Sequence, residues 1–299
     1  MLNSMLLKKG ETLGILSTAR WQEEEELKLS NDFFREWGLK TVYGKTIKAR
    51  HDQFAGDDDL RTSDLQQFLD DPSISAIICS RGGYGTIRII DKIDFTAFVQ
   101  RPKFICGFSD ITVLHTHISD KLGISTIHST MPICFSSNST ESIQTLKNVL
   151  FGLPNPYEIP AHPLNKTGEA EGILAGGNLS ILYSLLGTRF GFSTSGKILF
   201  LEDVDEYLYH IDRMMMSLKL AGKLENIKGL IVGGMTEMKD NLVKFGKSAQ
   251  EIISEHVTNL NIPVCFGFPA GHQDDNRALY MGSKTKMRVG SDGVKILQE

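Results

Sequence analysis

The strongest limit on how this chain folds comes from its short, wholly apolar runs. They end at glycine or polar residues and are separated by helical patterns. Ala76–Cys79 is one such run and leads into a glycine-rich turn; Phe104–Phe108 is another and leads into a serine. A strand that is apolar on both faces has to be covered on both faces, and strands alternating with helices imply a parallel sheet layered with helices. Leu13–Leu16 reads as a further strand of this kind. Glu23–Trp37, Ser63–Leu69 and Asp110 to about Leu122 read as helices.

Pro154, Pro156, Pro160 and Pro163 crowd the stretch 151–166, which suits a linker between a unit at 1–150 and one at 167–299. In the second half, Leu179–Leu186, Tyr209–Leu220 and Ser248–Thr258 read as helices. Lys197–Glu202, Gly229–Val232, Val264–Phe268, Lys286–Val289 and Val294–Leu297 read as strands. The last two bracket Gly290-Ser-Asp-Gly293, a hairpin signal.

Composition narrows the function classes. At 299 residues, 41% hydrophobic and 23% charged, this is an ordinary globular chain, and its net charge of −4 argues against a nucleic-acid binder. No apolar run approaches the ~18 residues of a membrane span, and the N-terminal lysines follow rather than precede the short apolar stretch. The expectation is a cytoplasmic protein with no membrane partner. Cys79, Cys106, Cys134 and Cys265 are widely spaced, form no C-x-x-C pair and read as buried thiols rather than metal ligands.

Four strand ends carry chemistry. In Phe104-Ile-Cys-Gly107-Phe-Ser109-Asp110, a strand runs into a serine and a helix starts at once. This is the form of a nucleophile elbow, although the second glycine usual two residues after the serine is replaced by Ile111. A plain helix N-cap would look the same. Ser80-Arg81-Gly82-Gly83-Tyr84-Gly85 could cradle an oxyanion or a phosphate, or be a structural turn. It lacks the lysine of a P-loop and the spacing of a dinucleotide fingerprint. Glu202-Asp203 follows one strand, and Gly271-His272 lies in a loop after another. Ligands in open α/β sheets bind beyond the carboxyl ends of strands. A serine, a carboxylate and a histidine gathered there are the parts of an acyl-transfer triad.

Other clusters read more plainly. His115 and His117 point to different sides of one helix, which suits packing or surface roles. Asp57–Asp59 reads as a solvated turn, Glu23–Glu26 as an acidic first helical turn, and Met214–Met216 as core or seam residues.

Ser80-Arg-Gly-Gly-Tyr-Gly85, Gly107-Phe-Ser-Asp110, Gly176-Gly-Asn-Leu-Ser180, Leu201-Glu-Asp203, Tyr209-His-Ile-Asp-Arg213 and Gly271-His272 together resemble the LD-carboxypeptidase and microcin-immunity family of serine peptidases. The motifs come in that family's order and cover most of the chain from about Leu13. The resemblance implies a Rossmann-like N-terminal domain and a smaller, mostly β C-terminal domain, in a homodimer. It also implies a triad of Ser109, Glu202 and His272, and an oxyanion hole from the backbone N–H of Asp110 and of Gly82 or Gly83. Asp212 and Arg213 would brace the Glu202 loop or contact the substrate, and Arg81 is a candidate for a substrate carboxylate or for a structural salt bridge. No metal or organic cofactor is implied.

The substrate so implied is a muropeptide or other small peptide, from which a terminal D-amino acid is released across an L,D amide. Two alternatives stand beside it: a hydrolase of peptide–nucleotide or aminoacyl-adenylate conjugates, and a non-catalytic module using the Gly82–Gly85 cradle. Ser17-Thr-Ala-Arg20 and His128-Ser129 depart from the family's usual Pro-Ser and His-Gly.

Overall fold

The computed structural model describes residues 2–299 as two sheets with helices packed on them. The first half runs β1 (Thr12–Leu16), α1 (Lys28–Glu36), β2 (Lys40–Tyr43), α2 (Asp58–Asp70), β3 (Ile74–Cys79), α3 (Thr96–Gln100), β4 (Phe104–Gly107), α4 (Thr112–Lys121), β5 (Thr126–His128) and α5 (Thr140–Phe151). The second runs β6 (Tyr157–Pro160), β7 (Gly168–Asn178), α6 (Leu179–Leu185), β8 (Lys197–Val204), α7 (Leu208–Leu220), β9 (Gly229–Thr236), α8 (Ala249–Val257), β10 (Val264–Cys265), β11 (Leu279–Met281), β12 (Lys284–Val289) and β13 (Gly293–Gln298).

The first sheet has the order β11-β5-β4-β3-β1-β2 and is parallel except for β11. This is the doubly wound, Rossmann-like pattern, and its direction of winding reverses between β1 and β3. Every residue of β4 is buried, as is nearly every residue of β1 and β3. Each large apolar side chain so buried contributes about 1.5–3 kcal/mol relative to exposure. Gly14 in β1 leaves room for Phe68 of α2, whose Cδ2 stands 2.6 Å from where a Cβ would be.

The second sheet is β10-β9-β8-β7-β12-β13-β6, parallel from β10 to β7 and antiparallel beyond. Helices α6, α7 and α8 enclose one apolar cluster on it, and Phe200, Phe268, Met287 and Val294 belong to another.

Two features differ from the sequence reading. The proline-rich stretch 151–166 is not bare linker: Tyr157–Pro160 forms edge strand β6, paired with β13. Proline is tolerated there because an edge strand has one unpaired side. The chain also returns late to the first sheet through β11, with Leu279 opposite His128. The segment 270–278 therefore crosses between the two sheets. Helix α5 clamps it, through Ser139 N–H to the Asp274 carbonyl (2.7 Å), Asn276 N–H to Ser142 Oγ (2.6 Å) and Ala278 N–H to Thr145 Oγ1 (2.9 Å).

Candidate active site

Backbone shape at the end of β4 separates the two readings of Ser109. Ser109 has φ of +63°, a left-handed conformation that costs a non-glycine residue about 1–3 kcal/mol. An N-cap residue is extended instead, and the Ser109 hydroxyl caps no helix. It meets His272 Nε2 at 3.0 Å. Gly107, at φ +148°, makes the turn. Ile111 folds back onto it, with Cγ1 2.9 Å from where a Cβ would be, so the bulky residue in the second-glycine position is accommodated by the first glycine.

His115 secures the turn from below. Its Nε2–H donates to the Gly107 carbonyl (2.8 Å), and its Nδ1 accepts from the Thr126 hydroxyl (2.8 Å). Burial lowers its pKa to about 3, so the ring is neutral.

His272 Nδ1 lies 2.7 Å from Glu202 Oε2, and the His272 backbone N–H donates to the same oxygen at 3.2 Å. Glu202 sits at the end of β8, wholly buried. Burial opposes charge on both groups, and the ion pair outweighs it. Glu202 is held below the ordinary glutamate range and His272 above the ordinary histidine value.

Gly271, at φ +105°, is required here twice over. The backbone is left-handed, and a Cβ would lie 2.5 Å from Glu202 Oε2. The loop is fixed further by Gly271 N–H to Asn276 Oδ1 (2.8 Å) and by the Thr236 hydroxyl to the His272 carbonyl (2.6 Å).

The adjacent carboxylate behaves differently. Asp203 accepts from Asn178 Nδ2, Ser180 N–H and its neighbour Val204 N–H, each at 2.9 Å. Burial, then the charge of Glu202, pushes it up to about 7. It therefore anchors α6 and the Gly176–Ser180 motif, and Glu202 faces the histidine.

The glycine turn after β3 closes the site. A Cβ on Gly82 would stand 3.0 Å from Ser109 Cβ and 3.2 Å from its Oγ. No hydrogen bond among the described residues uses the N–H of Gly82 or Gly83. Asp110 ties this turn to the elbow, since its buried carboxylate accepts from Thr86 N–H at 2.8 Å. Burial raises its pKa to about 6. Arg81 donates from Nη1 to the Trp21 carbonyl at 3.0 Å.

A hydroxyl, an imidazole and a carboxylate are thus joined in series beside free backbone N–H groups, the arrangement used for acyl transfer through a serine.

Family models match this layout across both halves: LD-carboxypeptidase N-terminal domain over residues 13–129, and LD-carboxypeptidase C-terminal domain over 171–287. The chain belongs to the LD-carboxypeptidase family of serine peptidases. It is 35% identical to a probable murein peptide carboxypeptidase of Bacillus subtilis, over 95% of this chain and 90% of that one. It is 24% identical to the microcin C7 self-immunity protein of Escherichia coli, over 98% and 95%. The solved muramoyltetrapeptide carboxypeptidase of Oxalobacter formigenes superposes with a TM-score of 0.87 at 25% identity, covering 95% of this chain and 97% of that one.

One expectation carried by the family motif is corrected. Asp212 does not brace the Glu202 loop; it pairs with His256 of α8 at 2.8 Å, and Arg213 lies over the Tyr209 ring. Both sit on α7. Met214 and Met215 are core residues. The roles of His115, Thr86, Asn276 and Thr236 were missed from sequence. For His115 a signal existed, since two turns of helix separate it from the elbow. No helix of the described residues is long and apolar enough to cross a membrane.

Proposed function

We propose that the chain is a serine carboxypeptidase that hydrolyses the amide between an L-centre and a terminal D-amino acid, releasing D-alanine from the tetrapeptide of recycled muropeptides. The observation that carries this reading is the unbroken series Ser109–His272–Glu202, set against the Gly82 turn. The names of relatives that act on murein peptides support the substrate class.

In this mechanism Ser109 Oγ attacks the scissile carbonyl and His272 Nε2 takes its proton. Glu202 keeps the proton of His272 on Nδ1 and stabilises the imidazolium. The N–H groups of Asp110 and of Gly82 or Gly83 hold the oxyanion. His272 then protonates the leaving amine, and water returns by the same route to free the acyl group. Arg81 adds positive charge on the side of the glycine turn. The nucleophile comes from the part of the chain at 1–150, and the carboxylate and histidine from the part at 167–299, whose sheet also takes in β6 and which lends β11 to the first sheet. The substrate class fits a cytoplasmic enzyme, and the family resemblance implies a homodimer.

The test is a panel of three peptides: a tetrapeptide ending in D-Ala, its L-Ala epimer and its C-terminal amide. The first should be cut, and the other two poorly. Equal rates on all three would show that neither the terminal chirality nor the carboxylate is read.

A further inference from the structure

A peptidase that removes one terminal residue has to recognise a free carboxylate on the leaving side. That carboxylate lies about one residue length, ~3.8 Å, beyond the scissile bond. Its partner must therefore stand close to Ser109 and the glycine turn. A buried or half-buried carboxylate also needs a cation or several donors.

We propose that Arg20 is this partner, a reading that rests on the carboxypeptidase function above. Arg20 follows β1 and the glycine turn follows β3, so the two flank the point where the winding of the first sheet reverses. Open α/β sheets bind ligands in the crevice at such a point. The Arg20 stem lies directly on Gly83, where a Cβ would be 2.3 Å from Arg20 Cδ and 2.4 Å from Cγ. Gly82, the next residue, is in contact with Ser109.

The backbone of Arg20 is held in place. Its carbonyl accepts from Ser17 Oγ at 2.6 Å, it bridges to Phe54, and Ala55 N–H and Trp21 N–H bind Ala19 and Gln53 carbonyls at 3.0 and 3.3 Å. The residue as a whole is nonetheless exposed. Among the described residues its guanidinium has no carboxylate within 4.0 Å and makes no hydrogen bond.

Charges of both signs lie nearby: Glu26 acts on Arg81 in the opposite sense to Arg20, and two further arginines stand close to Arg20. Arg81 approaches closely enough for the charge of Arg20 to help lower its pKa, after burial, and Arg50 stacks on Trp21 at 3.7 Å from the ring centre. Arg81 is half-buried and committed to the Trp21 carbonyl, so it holds the Arg20–Trp21 segment and leaves the ligand to Arg20. A guanidinium offers a carboxylate two parallel N–H bonds, which a lysine cannot reproduce.

Arg20→Met keeps an apolar stem over Gly83 and removes the charge; Arg20→Lys keeps the charge and removes the fork. On the D-Ala tetrapeptide, kcat/KM of Arg20→Met should fall about 10- to 100-fold, carried mostly by KM, the size expected for a charge-assisted pair. On the C-terminal amide it should stay within about threefold, and Arg20→Lys should fall between. The same pair of peptides is titrated calorimetrically against Ser109→Ala and Ser109→Ala/Arg20→Met. There the acid should bind more tightly than the amide only when Arg20 is present.

Equal losses on acid and amide would mean a structural role, and an acid preference that survives Arg20→Met in either assay would overturn the assignment. If the parent enzyme cuts none of the peptides, the reaction is wrong. The titration still decides whether Arg20 reads a carboxylate.

Discussion

Replacing Glu202 with glutamine keeps the size of the side chain and removes its charge. Glu202 Oε2 receives both N–H groups of His272, at 2.7 and 3.2 Å. With the amide oxygen in that place, both bonds persist but the imidazolium loses its counter-charge, and a charge-assisted bond is about twice as strong as a neutral one. With the amide NH₂ there, the Nδ1 proton is forced to Nε2, which then cannot accept from Ser109. Either way kcat should fall by about 10³–10⁴, or ~4–5.5 kcal/mol of transition-state stabilisation.

The pH profile separates this mechanism from a loss of fold. His272 must be neutral to act as a base, so activity disappears as pH falls through its pKa. Burial alone would lower that pKa, and Glu202 reverses the effect and raises it above 6.5. The acid limb of the wild type should therefore lie above pH 6.5, and that of Glu202→Gln below it.

Stability follows the same linkage. The raised pKa of His272 stabilises the fold fully below 6.5, an effect lost as pH rises through the folded value. The lowered pKa of Glu202 stabilises it above 4.5, an effect lost as pH falls through the folded value. The wild-type advantage in Tm should thus peak between pH 4.5 and 6.5. Initial rates on the D-Ala tetrapeptide from pH 5 to 9, with thermal melts extended down to about pH 3, provide the assay. A variant within tenfold of wild type, with an unmoved acid limb, would refute the role given to Glu202.

Gly82→Ala should leave Tm within a few degrees, because Gly82 does not occupy the left-handed region. It should lower kcat about 10- to 100-fold, because its Cβ would press on Ser109 at 3.0 Å. Full activity in a folded variant would remove Gly82 from the oxyanion site. Gly271→Ala should damage fold and catalysis together, costing at least ~2 kcal/mol in a denaturant titration, because strain at φ +105° adds to a 2.5 Å clash with Glu202. Activity should survive exhaustive chelation, since no group of three or more His, Cys, Asp or Glu among the described residues could hold a metal ion. A loss restored by zinc would contradict this.

The parts of the fold legible in the sequence were those whose strands are apolar throughout. Ile77–Cys79 and Phe104–Gly107 announce themselves because both faces are covered. Strand β7 was hidden because its first half alternates exposed and half-buried residues where it meets the antiparallel strands, and only Leu174–Asn178 are buried. Strand β11 is three residues long and pairs with β5, about 150 positions earlier in the chain; no local pattern encodes such a pairing. The candidate site was legible residue by residue, because Ser109 lies just past β4, Glu202 in the last residues of β8, and His272 in the glycine-flanked loop that follows β10. The reason Gly271 must be glycine was not, since it depends on Glu202, 69 positions away, entering the space of the missing Cβ. Arg20 escaped notice for a similar reason: a single arginine in a loop carries no signal until Gly83 is found beneath it.

The central claim is that Ser109 opens an L,D amide to release a terminal D-residue. The most direct measurement is the mass of the products after incubation of wild type and Ser109→Ala with the D-Ala tetrapeptide. Wild type should yield the tripeptide and free D-alanine. The folded Ser109→Ala protein should yield neither, a loss of order ~10⁶ in kcat by comparison with triad knockouts. Near-normal release of D-alanine by Ser109→Ala would contradict the account.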